Sequence, residues 1–550
     1  MRFQLDHDWQ GNMSTPRAQL GDSVKIQLLL VLCFIWVLLG LTGHAPWKPL
    51  ESTGINIVKT VLDKGLWLAP LASDASVLET PPLYYLSAAA SASILSPWLA
   101  IPDGARLINA LWLALMLLMV GLSGRELWGK GAGRHATLIM LGNIGLVVSA
   151  HSLTAEIAGL TASATGFYAL ALAKRRPRRA CILLAGALCI GLLSYGLLTT
   201  LPLIASALSL ILLFKPWRKR SFIKMLIGAT LISSLPLALW LAMLNQQQIE
   251  LFHGWWLANV QGFNQTNHLY FLRILIWYAW PALPLALLGL WHYRQRLRLL
   301  PSLQLILVFF SCHVLFLGYM AAAKDIHALA LLLPLTALAA GSIEHLKRGM
   351  AAALNWFGVL LFGLIGALIW LGWLAMLTGY PSKIKQRMAF LSGTEQLNFS
   401  WLALSIALLV TAMWLFVCIR ARQTNKSTVS NWAVGMTFGW SLLMTLWLPL
   451  LDSAKSYQSV FTSLSASLAP HKDCVNSLNV ERQQGLLLHY YGGITLKPVA
   501  NSELASCEHL LVFNRKGSAP FKPDQNWQKT WSGKRPADRK ESFYLYQRIN

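Results

Sequence analysis

Negative charge is what this 550-residue chain lacks most, with 22 Asp and Glu against 46 Lys and Arg. Charged residues of both signs reach only 12%, about half the share found in soluble domains, which excludes an ordinary water-soluble globular protein. Cysteine is sparse as well, at seven residues, so a disulfide-scaffolded secreted module is excluded. No two of the seven form a Cys-x-x-Cys pair, and neither a Walker loop nor a Gly-x-Gly-x-x-Gly turn occurs. Zinc-ribbon chemistry and nucleotide-driven transport therefore have no support.

Apolar runs take the place of the missing charge. The chain is 55% hydrophobic with a mean hydropathy of +0.50. Runs of the length needed to cross a hydrocarbon core about 30 Å thick recur along it. They predict an all-α polytopic membrane protein with about thirteen transmembrane helices, at 25–43, 106–124, 133–150, 155–173, 179–197, 199–214, 222–244, 273–292, 300–320, 326–343, 352–378, 401–419 and 432–451. Residues 1–24 carry no signal-peptide cleavage pattern and are expected to be a cytosolic leader. PLYYLSAAASASIL is short and predicts a helix at or partway into the interface.

Positive charge tests this count. Arg125/Lys130/Arg134, Lys174 to Arg179, Lys215 to Arg220, Arg294/Arg296/Arg298, Lys347/Arg348 and Arg420/Arg422/Lys426 fall in every second loop. With the N-terminus inside, all six are cytosolic, as the positive-inside rule requires. The net charge of +24 is thus explained by loops near anionic headgroups, and no nucleic-acid partner is expected. The remaining loops fall on the far side, where 44–105, 245–272 and 379–400 are unusually long or rich.

The predicted organisation is a transmembrane domain over 25–452, with the far-side loop 44–105, and a small soluble α/β lobe over 453–550. GLLLHYYGGITLKPV and HLLVFNRK read as strands or strand–turn units of that lobe. Its two cysteines, Cys474 and Cys507, lie where an oxidising compartment permits a bond, although nothing in the sequence brings them together.

The stretch Pro46 to Leu86 holds two carboxylates, Glu51 and Glu79, with Trp47, Trp67, Tyr84, Tyr85 and a Pro-Pro pair. Two far-side carboxylates can hold a divalent cation, or one can act as a general base; equally, both can be solvated loop acids. Glu156 opens a later span, where an acid also complements the helix dipole. His268 is a candidate metal ligand or acid–base group, against a purely structural role. Lys324, with Asp325 and His327, and the boundary residues Arg106 and Arg273 are candidate phosphate contacts; a snorkelling cation is the plainer reading of Lys324. All of these lie on one side of the membrane, which suits transfer of a group from a phosphate-bearing lipid.

The opening loop resembles that of bacterial members of the protein O-mannosyltransferase superfamily, which includes the lipid A aminoarabinose transferases. The matching segments are Leu50-Glu51, Gly65-Leu66-Trp67-Leu68-Ala69-Pro70 and Glu79-Thr80-Pro81-Pro82-Leu83-Tyr84-Tyr85. Arg106 in ARLINAL, Glu156 in LTAEIAGL and Lys324 in KDIHALALLLPLTALAA extend the likeness. The resemblance implies a GT-C glycosyltransferase fold and a polyprenyl-phosphate sugar donor. It also implies a divalent cation held by Glu79 with His268, phosphate contacts from Lys324, Arg106 and Arg273, and a substrate loop with Tyr84 and Tyr85. Glu51, Glu79 and Glu156 become the catalytic candidates. Leu50 stands where the family carries the acid thought to be its base, Thr80 replaces a lysine, and LLSYGLL replaces a Thr-Lys-Gly segment. Glu51 then serves as base, or the acceptor is already ionised, or catalysis is lost.

The expected function is transfer of a sugar to lipid A, another glycan or a protein on the periplasmic side of a bacterial inner membrane. The alternatives are a transporter or flippase for a lipid-linked sugar, which would carry ionisable residues deep within its spans, and a silent homologue that only binds the carrier.

Overall fold

The computed structural model describes residues 21–69, 71–72, 80–247, 249–261, 269–420, 425–468, 474–500, 506–517 and 526–549. Each apolar run becomes helix, because a segment without water must close its backbone hydrogen bonds internally. After α1 (Asp22–Leu38), the opening loop folds into α2 (Glu51–Lys64), α3 (Leu83–Leu95) and α4 (Ile101–Arg106), which leads directly into α5 (Ile108–Trp128). One predicted span is split at Asn143, whose backbone is extended, into α6 (Ala132–Gly142) and α7 (Ile144–Ala150). Next come α8 (Glu156–Leu172), α9 (Pro177–Ser194), α10 (Leu197–Leu213), α11 (Arg220–Gln247) and α12 (Ile249–Gln261). The second half holds α13 (Tyr270–Tyr278), α14 (Ala282–Tyr293), α15 (Pro301–Met320), a 3-10 turn Asp325–Leu331, and α16 (Leu332–Ser342). It continues with α17 (Arg348–Thr378), α18 (Ser382–Ser392), α19 (Trp401–Arg420), α20 (Asn425–Leu446), α21 (Leu448–Lys455) and α22 (Gln458–Ser467).

This is a helical membrane protein, but fewer helices are unbroken spans than the thirteen apolar runs suggested. Among the described residues seven are long and apolar enough to cross a membrane, or up to nine if the bent pairs α13/α14 and α20/α21 each count as one. The shortfall is physical. α8 and α10 have 17 residues each, about 26 Å at 1.5 Å per residue, and α6/α7 is broken.

Contacts between loops bring together five of the six basic clusters. Arg134 pairs with Asp22 at 3.2 Å and Arg175 with Glu126 at 2.6 Å. Lys174 sits 4.4 Å over the Trp217 ring, and Trp128 stacks on Tyr293. His292 and His345 stack with centroids 3.8 Å apart. For those five, loops that share a side by the charge reading are loops that touch.

The C-terminal lobe contains β1 (Val475–Leu478), α23 (Arg482–Gly492), β2 (Leu496–Pro498), β3 (His509–Arg515), β4 (Trp527–Gly533) and β5 (Glu541–Arg548). The sheet order is β2-β1-β3-β5-β4, with β1 parallel to β2 and β3, and β5 antiparallel to β3 and β4. HLLVFNR is a strand as expected, but most of GLLLHYYGG is helix. A capping box between Glu481 and Gln484 starts that helix, and left-handed Gly493 ends it. Register explains the disulfide. Val475 pairs with His509, which brings the preceding Cys474 and Cys507 together, and they are bonded with Cα atoms 5.4 Å apart.

Candidate functional site

The opening loop and the lobe are built against one another. Lys48 Nζ meets Glu481 at 2.5 Å. From α2, Asn56 Nδ2 donates to Leu486 O at 3.1 Å and Lys59 Nζ to Tyr490 O at 3.0 Å. Asp452 Oδ1 accepts from the Ala45 amide at 3.0 Å and from Trp47 Nε1 at 2.9 Å.

Beneath this junction lies a saturated ion pair. Arg106 donates to Glu51 through Nε at 2.7 Å and Nη2 at 3.0 Å, to His44 O and Asp103 Oδ1 through Nη1 at 2.9 and 3.0 Å, and to Ala45 O through Nη2 at 3.0 Å. Those contacts use all the N–H groups a guanidinium offers. Glu51 also accepts from the Trp47 amide at 2.9 Å and the Leu153 amide at 3.0 Å, so each oxygen takes two donors. Burial pushes the Glu51 carboxyl up, and the charge and hydrogen bonds of Arg106 outweigh that and hold it below its usual value.

This corrects two sequence expectations. Arg106 keeps no donor for a phosphate, and Glu51 keeps no lone pair for an acceptor proton or a cation. Leu50, at the position of the family's acid, packs against the main apolar core. Tyr84 and Tyr85 are buried in the first turn of α3 and do not line an open loop.

Tyr84 and Glu51 reach instead to the turn before α8. Tyr84 donates to Asn109 Oδ1 at 2.7 Å, Asn109 Nδ2 donates to Ser152 O at 2.8 Å, and the Leu153 amide donates to Glu51. At Gly54 even a Cβ would lie 2.6 Å from Leu153 O, so α2 and this turn are in close contact. The turn ends at Glu156, the first residue of α8.

Glu156 lines a narrow cavity of about 20 Å³ together with Ser163, Tyr195, Thr199, His313 and His327. That volume holds about one water. Tyr195 OH and His327 Nδ1 share a short hydrogen bond across 132 residues. His313 is 1% exposed. Its Nδ1 lies 2.8 Å from Phe309 O and donates to it, while Nε2 has no partner among the described residues. A polar group buried without a partner is costly, and a water in this cavity would satisfy it.

Lys324 is exposed just before the 3-10 turn, and its charge acts on both Glu156 and His327. Asp325 accepts a short hydrogen bond from Tyr270, which fixes the same turn to α13. Arg273 is exposed one turn further along α13. The structure thus groups Glu156 with Tyr195, His313 and His327 around the cavity, with Lys324 outside its lining but near enough for its charge to act on Glu156 and His327; of the cavity residues, Tyr195 and His313 were not read from the sequence. Tyr195 had a trace there, as the polar centre of the departing LLSYGLL segment. Glu79 and His268 lie outside the described residues, and among the described residues no group of three His, Cys, Asp or Glu side chains is arranged to hold a metal.

No family model and no curated sequence matches the chain. Solved structures do. ArnT from Cupriavidus metallidurans bound to undecaprenyl phosphate is 13% identical, with a TM-score of 0.65 over 96% of this chain and 98% of that one. The same protein in the apo state gives 14% identity and a TM-score of 0.64 over 89% and 93%. At this identity the likeness is one of fold: the chain shares the fold of that ArnT over nearly its whole length, the lobe included.

Proposed function

We propose that the chain is a membrane glycosyltransferase that moves a sugar from a polyprenyl-phosphate donor to an acceptor at the face where the lobe is docked. One observation carries the reading. Glu156 lines a buried cavity within reach of the Lys324 charge, in a fold shared almost end to end with a structure that holds undecaprenyl phosphate. In the step proposed, an acceptor hydroxyl attacks the anomeric carbon as its bond to the donor phosphate breaks. The hydroxyl proton passes to Glu156, and the departing polyprenyl phosphate is met by Lys324 with Arg273. The cavity is too small for a sugar, so the sugar would sit at its mouth, and the proton would reach Glu156 by way of a water in the cavity.

Glu79 with His268 is proposed to hold a divalent cation, which would supply Lewis-acid polarisation; no step is assigned to it. The acceptor class is lipid A, another glycan or a protein. The setting proposed is a bacterial inner membrane, with the leader 1–24 cytoplasmic, the membrane domain over 25–452 and the lobe 453–550 periplasmic; loop charge supports the sidedness.

A second reading is favoured by Leu50 and by the saturation of Glu51: a homologue that binds the carrier without transfer. Purified protein with a labelled polyprenyl-phosphate sugar separates the two. Turnover by the wild type that is lost in Glu156→Gln and reduced in Lys324→Met supports the enzyme. Carrier binding with no turnover across a panel of acceptors supports the silent homologue.

A further inference from the structure

A second, much larger cavity takes no part in this chemistry. It is a groove of about 910 Å³ between α1, α5 and α6, walled by apolar side chains such as Leu29, Phe34, Leu117 and Leu118. Along α5 it extends from Ala110 to Arg125, about 22 Å at 1.5 Å per residue. Over that length the groove is lined almost wholly by apolar groups. It suits a hydrocarbon chain.

The groove also has a charged end. Arg125, Lys130 and Arg134 line it on the basic face, opposite the Glu51–Arg106 pair, and Asp22 is the one carboxylate among the lining residues. Asp22 lies 3.4 Å from Lys130 and 3.2 Å from Arg134, so the rim keeps a net charge of about +2 by simple addition of these four groups. Gly133 allows the close packing that shapes this end, since a Cβ there would lie 2.4 Å from Gly121 O. Basic pockets between transmembrane helices are suited to anionic headgroups.

We propose that this groove is a binding site for an anionic glycerophospholipid, with one acyl chain between α1 and α5 and the phosphate at Arg125 and Arg134. The site is separate from the proposed donor site, and its charged end lies at the opposite end of α5 from Asn109, which holds the turn before Glu156. A lipid there would tie α1 to the helix that begins just after Arg106, and it would hold by charge as well as by apolar contact.

Native mass spectrometry of the full-length protein in detergent tests this, using phosphatidylglycerol and phosphatidylcholine of the same chain length as probes. The wild type should retain phosphatidylglycerol in preference by about an order of magnitude, as expected for one or two headgroup–cation contacts. Arg125→Glu with Arg134→Glu should abolish the preference and leave the far-ultraviolet circular dichroism unchanged. Ala114→Trp, at an exposed groove position, should reduce retention of both lipids. Equal retention of the two probes by the wild type would overturn the proposal. So would retention unaffected by either variant, or a crosslink that places residues 1–20 of the chain in the groove.

Discussion

Arg106 and Glu51 face each other through two hydrogen bonds of 2.7 and 3.0 Å, with side chains 1% and 3% exposed. Every other donor and acceptor of the two is bound to backbone or to Asp103, so the pair joins the segment 44–47, α2, α4 and the turn before α8. Removing either partner leaves a buried charge. Glu51→Ala or Arg106→Ala should each cost about 3–5 kcal/mol, seen as a fall in detergent melting temperature. Arg106→Lys should not restore stability, because an ammonium has three donors for five acceptors. The double variant should remain destabilised, since the amides of Trp47 and Leu153 lose their acceptors. A double variant as stable as the wild type would show that the pair is dispensable.

The same pair sets a pH dependence. The native Glu51 carboxyl is held below its usual value, while in the unfolded chain it titrates near about 4.3. The unfolded state therefore takes up the proton first on acidification. The stabilisation is full above the unfolded value and is lost as pH falls through the native one. Melting temperature followed downward from about pH 6 should drop below about pH 4 in the wild type. In Glu51→Gln it should start lower and depend less on pH in that window.

The lobe should be separable from the membrane domain in stability. Cys474 and Cys507 close a loop of 33 residues, for which chain-entropy arguments give about 3–4 kcal/mol. Cys474→Ser with Cys507→Ser should lower the lobe's own unfolding transition and leave the membrane domain's transition in place. Lys48→Glu, which reverses the 2.5 Å contact to Glu481, should loosen docking, read as faster hydrogen exchange in α23 with the lobe still folded.

Much of this architecture was legible in the residues. Apolar runs became helices because that pattern has one solution without water, and five of the six basic loops touch one another, as loops sorted by charge to one side would. The site was less legible. Glu51 and Arg106 are 55 residues apart, and Tyr195 and His327 are 132 apart, so no local pattern marks either as a pair. Charge at the membrane edge looked like substrate contact, whereas Arg106 is consumed by four carbonyl and carboxylate groups that only the fold supplies. The helix in GLLLHYYGG was hidden for the opposite reason: its apolar run is short, and its start signal, Glu481 with Gln484, lies upstream of it.

Asn109 makes the final test, because it holds the turn before Glu156 without touching the cavity. It accepts from Tyr84 and donates to Ser152 O, so Asn109→Leu frees the turn while keeping similar bulk. If Glu156 takes the acceptor proton, its placement matters to the chemical step more than to donor affinity. Turnover should fall by about 10–100-fold in Asn109→Leu, with the donor's KM changed by less than about threefold. Tyr84→Phe, which removes one hydrogen bond from the same chain, should show a smaller fall of the same kind. A rise in KM with kcat preserved would instead place this turn in donor binding, and Glu156 with it.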